Sequence, residues 1–257
     1  MLLIRFWTVV TTCVLAIAML CLPLSFAAIS MVDRATLKAD FRLQAARVNR
    51  GLIAGPAART TLREAAEALE AQQAMDVSDD MAEFAPTSSP LLLGRWYLDF
   101  TDASDVLSLS LLPVPAEIGD IYQEIKQKQS SGDEFTVDNA VELLPLGSGA
   151  LTAVTGMKVA GIYCVEGACK TLSPTRVSLA FVGGRVQPLA APFGFPPLGA
   201  SLPDPIISQL QSLLANRVYL ETTYLDDDFR IARGPGRELY VLSKRDERST
   251  ADAAAPF

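Results

Sequence analysis

Read for its apolar and polar positions alone, the chain changes period several times. Leu37, Phe41, Ala45 and Val48 recur at helical spacing, so residues from Arg34 onward predict an amphipathic helix with Asp33 as cap and Gly51 as stop. Gly55–Pro56 breaks the chain, and Thr61 with Glu64 makes a capping-box pattern ahead of LREAAEALEAQQ. Residues 33–74 therefore predict a short helical hairpin packed against a main domain. Residues 75–90 are acidic and carry Pro and Ser, which predicts a linker.

From Leu91 the helical period fades and alternation takes over. LLLGRWYLDFTD predicts a strand, and GDIYQEIKQKQSSGDEFTVDNAVELL predicts two strands around SSGD. ALTAVTGMKVAGIYC, PTRVSLAFVGGRVQPL, RVYLETTYL, FRIAR and ELYVLSK continue the series. GPGR joins the last two, with Pro235 and Gly236 suited to the central turn positions. Recurrent turn signals between short alternating runs predict an antiparallel barrel or sandwich of about eight strands over residues 91–245. Residues 246–257 predict a flexible tail.

One insertion interrupts the strands. PLAAPFGFPPLGASLPDP is apolar and rich in proline, with Phe193 and Phe195, and cannot pair as a central strand. Asp204 and Pro205 then suit the start of a short helix, in which Ile206, Ile207, Leu210, Leu213 and Leu214 share a face. This predicts a helix that plugs one barrel end, or a flap that touches a lipid surface.

The amino terminus reads separately. One charge, Arg5, precedes an apolar run from Phe6 to about Leu22, and Ser-Phe-Ala follows at residues 25–27. That order predicts a secretory-type leader over residues 1–27, cleaved near Ala27 or retained as an anchor.

Composition then narrows the chemistry. Half the residues are hydrophobic, enough to build a core. A net charge of −7 argues against a nucleic-acid partner, which needs a basic face. With no histidine, a Ser-His-Asp triad, a Cys-His pair and a histidine-ligated zinc are excluded. Acid–base catalysis would fall to scattered carboxylates such as Glu117, Glu124, Asp133 and Glu134, which nothing in the sequence pairs. Cys164 and Cys169 flank Val-Glu-Gly-Ala, which can turn a hairpin and bring the sulfurs within disulfide range; two plain thiols are the alternative.

The stretch TTYLDDDFRIARGPGRELYVL, residues 222–242, holds three consecutive aspartates followed by arginines. Contiguous aspartates lack the alternating oxygens of a calcium loop, and nearby arginines repel a divalent ion. No metal or other cofactor is expected. A bend at the aspartates would let the carboxylates meet Arg230 or Arg233 while Phe229 and Ile231 enter the core.

The same stretch resembles the C-terminal signature of the plastid lipid-associated protein family, also called fibrillins: a Y-L-D, an R-I-x-R-G, a short turn and a strand ending in V-L. LLLGRWYLDFTDAS resembles that family's entry strand, and ARVNRGLIAGPAARTTLREAAEALE its helical lead-in. Gly94–Trp96 also looks like the G-x-W of lipocalins, in which the Trp closes the barrel base beneath a basic side chain. The resemblance implies a lipocalin-type barrel that binds or coats small hydrophobic molecules such as prenyl lipids, carotenoids and quinones at thylakoids or lipid globules, without catalysis. A coat on lipid surfaces without cargo is the alternative. It implies Trp96, Tyr224, Asp226, Arg230 and Arg233 as motif positions, more structural than ligand-binding. Phe193, Phe195, Leu210 and Leu213 are the expected lipid-surface contacts. An apolar leader before such a domain implies a plastid reached through the secretory route.

Overall fold

The structure, a computed structural model, describes residues 33–80, 83–108, 116–128, 134–147, 161–188, 200–201 and 219–245. Two helices come first, α1 (Arg34–Arg47) and α2 (Pro56–Asp80). The chain divides between Leu37 and Lys38 into two units, and the second holds everything described below.

Among the described residues nine strands follow: β1 (Gly94–Thr101), β2 (Ala116–Gln127), β3 (Glu134–Pro145), β4 (Gly161–Thr171), β5 (Arg176–Pro188), β6 (Ala200–Ser201), β7 (Tyr219–Leu225), β8 (Phe229–Arg233) and β9 (Leu239–Ser243). Their order is β4-β3-β2-β1-β9-β8-β7-β5-β6, and β4 pairs with β5. Each pairing is antiparallel. Eight strands thus close into a barrel, and the two-residue β6 is an addition to β5. Among the described residues closure leaves no long sheet edge to template aggregation. The fold agrees with the barrel that the sequence predicts.

Strand alternation sends one set of side chains into the lumen. Trp96, Leu98, Ile125, Phe135, Val137, Cys169, Tyr240 and Leu242 belong to one buried cluster there. The other set on β8 and β9 meets the helices, so every residue of these two strands is buried. Phe41 of α1 stacks edge-on against Phe100 and Phe229, with ring centroids 6.2 and 5.7 Å away. Leu62, Ala66 and Leu69 form the buried stripe of α2.

Register shifts interrupt four of the described pairings, and two of them decide which layer Phe100 and Tyr224 join. One lies between Leu98 and Phe100 on β1 and turns Phe100 outward to Phe41. The other lies between Thr222 and Tyr224 on β7, and turns Tyr224 outward against Phe229. GPGR forms the expected turn: Arg237 N donates to Gly234 O at 3.0 Å, with Pro235 and Gly236 central.

Several expectations change. Helix α2 starts at Pro56, where a proline lacks only an N–H that has no helical partner, and Thr61 Oγ1 donates back to Ala57 O at 3.1 Å instead of capping. The helix continues to Asp80, so residues 75–80 are not linker. Residues 86–92 are 3₁₀ turns seated on the barrel: Thr87 N donates to Pro174 O at 3.1 Å, and Leu92 is buried.

The disulfide between Cys164 and Cys169 is also corrected. Val-Glu-Gly-Ala is no turn; β4 runs straight through it, paired with β3 on one side and β5 on the other. Five residues of strand separate the cysteines by about 16 Å, too far for a bond between them, and both are buried thiols. Gly167 is there for close packing: a Cβ would sit 3.1 Å from Leu179 Cδ1 and 3.2 Å from Val137 O. The leader (1–27), the tail (246–257), the apolar insertion and the helix after it, with Phe193, Phe195, Leu210 and Leu213, lie outside the described residues.

Candidate functional site

The aspartate stretch closes the β7–β8 hairpin. Asp226 Oδ1 accepts from the backbone N–H groups of Asp228 at 3.1 Å and Phe229 at 2.8 Å, an Asx turn. Its Oδ2 accepts from the Tyr224 hydroxyl at 2.6 Å and from Lys38 Nζ at 2.8 Å. Lys38 also reaches Asp228 Oδ1 at 2.5 Å, and Arg42 reaches Asp228 Oδ2 at 3.0 Å. Burial pushes the Asp228 carboxyl up, but the bonds from Lys38 and Arg42 outweigh it and hold it at about 2. The expected partners were Arg230 and Arg233; the cations that meet the carboxylates come instead from one face of α1. Lys38 and Arg42 are four residues apart, so a single helix turn delivers both.

Arg233 points outward to α2. Its Nε donates to Glu70 Oε1 at 2.9 Å and its NH2 donates to Glu70 Oε2 at 2.8 Å. Thr223 Oγ1 donates to the same Oε1 at 2.5 Å. These bonds fasten the helix to the barrel wall, and Phe229 and Ile231 fill the core between them.

Arg230 has the opposite parity and enters the lumen, where it is 1% exposed. One amino group donates to Gln123 Oε1, whose amide in turn donates to Asn139 Oδ1 at 2.8 Å. The guanidinium lies 5.5 Å from the Trp96 ring centroid. Burial lowers its pKa to about 10, with the Cys169 sulfur offsetting part of the shift. Among the described residues no carboxylate pairs with it, and its Nε has no hydrogen-bond partner. Beside it lies a cavity of about 30 Å³, lined among others by Gln123, Ile125, Phe135, Val137 and Leu179.

Trp96 forms the floor. It is fully buried, and its Nε1 donates to Leu92 O at 2.8 Å. Lys244 Nζ stands 4.6 Å from the ring and donates to Leu91 O at 2.8 Å. The basic side chain over a base-closing Trp is therefore present, supplied by the residue just after β9.

The motif positions thus separate. Tyr224, Asp226 and Arg233 serve the outer wall, while Trp96 and Arg230 face the lumen. Sequence reading missed Lys38, Arg42, Glu70 and Gln123. Only Gln123 carried a signal of its own, a polar residue between Ile121 and Ile125 at their inward parity. A wider recess of about 430 Å³ opens outside the barrel between the end of α2 and residues 83–91, with Asp76 and Glu83 among its lining.

Comparison with known proteins follows the same frame. The PAP_fibrillin family model matches residues 36–243, which takes in all nine strands and α2. The chain is 30% identical over 192 residues to "Probable plastid-lipid-associated protein 2, chloroplastic" of Arabidopsis thaliana. That alignment covers 62% of this chain and 57% of the relative, so the chain spans little more than half of that protein's length.

Proposed function

The chain belongs to the PAP_fibrillin family, and on that premise we propose that it is a non-catalytic lipid-associated protein of plastids. Its barrel takes small hydrophobic molecules (prenyl lipids, carotenoids or quinones) at thylakoids or lipid globules. The observation that carries this reading is the lumen: a closed barrel whose base is walled by Ile125, Phe135, Val137 and Leu179 around a cavity.

A cavity of about 30 Å³ admits a water-sized group and no isoprenoid tail. Cargo therefore enters by parting the wall between β5 and β7, which among the described residues pair through Arg176–Glu221, Val177–Leu220 and Ser178–Tyr219. Val177, Leu179 and Leu220, on the two sides of that seam, are only half-buried and line the same cavity. Three of the four carboxylates considered for catalysis support the non-catalytic reading: Glu124 pairs with Arg95 and Lys126, Glu134 pairs with Lys128, and Glu117 is exposed; Asp133 lies outside the described residues. The plastid is reached, in this reading, through the secretory-type leader of residues 1–27.

The small cavity also favours a second reading, a coat that holds no cargo and meets lipid through Phe193, Phe195, Leu210 and Leu213. One experiment separates them: mass spectrometry of the lipids that copurify with the full chain from plastid membranes. One apolar lipid near one per chain supports cargo. An empty protein that floats with lipid particles overturns cargo and favours the coat.

A further inference from the structure

We propose that the base of the lumen is a binding site for the carboxylate of a long-chain acid, with Arg230 as its charged anchor. The proposal rests on the lumen-cargo reading and names the head group.

Arg230 differs from the other arginines of the barrel and its helices. Arg233 has Glu70, Arg63 has Asp102, and Arg42 has Asp228, all within 3.0 Å. Arg230 is as buried as Arg233, yet among the described residues it has no counter-charge. Its protein partners are a neutral amide and an aromatic face. A guanidinium held out of water without an anion is unfavourable, and a fork of donors matches a carboxylate. The Nε hydrogen remains unused.

Lys244 reaches the same Trp96 ring, where the exposed Asp227 favours its charge and Arg230 opposes it. An incoming anion beside Arg230 relieves that opposition. The amide of Gln123 is held by Asn139, so its oxygen is kept on Arg230 and the guanidinium is fixed in place before any ligand arrives.

The cavity supplies the other half of the match. Arg230 and Gln123 make its polar side, and Ile125, Phe135, Val137 and Leu179 make its apolar side. Its volume of about 30 Å³ suits a head group, not a tail. The tail lies along the half-buried Val177 and Leu220 toward the β5–β7 seam. A free small anion would satisfy Arg230 equally well, so the test must tell the two sources apart.

Displacement of Nile red, a neutral apolar dye, from the purified full chain provides the readout, with oleate, oleyl alcohol and acetate as competitors. Oleate should displace the dye at a concentration at least about 10-fold below oleyl alcohol, the gain expected of a charge-assisted bond. Acetate should have no effect. Arg230→Gln should bring the oleate-to-alcohol ratio to about one, and Arg230→Lys should keep part of the preference. Circular dichroism melting confirms that each variant is folded, and the wild-type comparison needs no variant at all. Equal displacement by acid and alcohol would leave the cargo reading standing and overturn the role of Arg230. Displacement by neither would overturn both. Protection of the site by acetate, seen as lost oleate preference, would mean an adventitious ion only and overturn the long-chain acid.

Discussion

Glu70 on α2 and Arg233 on β8 meet in a two-pronged ion pair, Nε to Oε1 at 2.9 Å and NH2 to Oε2 at 2.8 Å. Arg233 is 2% exposed, so it has no solvent to fall back on. Glu70→Ala should cost about 3 kcal/mol, because it removes both hydrogen-bonded prongs and leaves the buried guanidinium only the long, exposed contact to Glu67 Oε1 at 4.0 Å. For a body of this size that is a fall in melting temperature of roughly 10 °C. Glu70→Leu combined with Arg233→Met should recover most of the loss, since it removes the poorly paired charge as well. Calorimetric melting of the single and double variants checks this. A single variant that melts with wild type would show that the pair does not hold α2 to the barrel.

The aspartate turn predicts a pH dependence. Asp228 titrates at about 2 in the folded chain, below its ordinary value, because Lys38 and Arg42 oppose the effect of burial. A depressed carboxyl contributes stability that is present above its unfolded pKa, about 4. That contribution is lost as pH falls from about 4 through about 2. Melting temperature followed from pH 5 to pH 2 should therefore drop more steeply for wild type than for Asp228→Asn. Parallel curves would mean that Asp228 is not held by the α1 cations.

How much of this was legible in the chain depends on the residue. The alternation of β2, β3 and β5, the GPGR turn and the shared parity of Phe229, Ile231 and Arg233 could all be read, because each depends on near neighbours. Phe100 and Tyr224 could not be placed. Strict alternation puts Phe100 with Trp96 and Leu98, and Tyr224 with Thr222; one extra residue in each strand reverses the side. The partners of Asp226 and Asp228 were hidden for another reason. Lys38 lies 188 and 190 residues away from them, and nothing local marks a helix as the source of counter-charge. The Val-Glu-Gly-Ala stretch misled because a glycine needed for close approach reads, in sequence, like a glycine needed for a turn.

The corrected cysteines give a chemical test. Burial pushes the Cys169 thiol up to about 12, partly countered by Arg230, and both Cys164 and Cys169 are buried. A thiolate is the reactive form, so neither should be alkylated quickly at pH 8 in the folded chain. Peptide mapping after iodoacetamide treatment should find both unmodified without denaturant and both carboxamidomethylated in guanidinium without any reductant. A requirement for reductant would show a disulfide and break the straight path of β4.

Gly51 supports the sharpest stability prediction. It has φ +98°, and a Cβ would sit 2.1 Å from Thr101 O and 3.3 Å from a ring carbon of Phe100. The backbone of the α1–α2 connection thus lies directly on the end of β1, next to the ring that Phe41 stacks on. Neither the backbone oxygen nor the packed ring can move aside. Gly51→Ala should cost about 3 kcal/mol or more, combining left-handed strain with the clash. Gly55 makes the contrast: no atom lies within 4 Å of its would-be Cβ, and it precedes the first residue of α2. Gly55→Ser should change stability by only a few tenths of a kcal/mol. Urea midpoints for the two variants decide the matter. Similar midpoints would mean that the connection can lift off β1, and that α1 does not depend on this contact for its seat on the barrel.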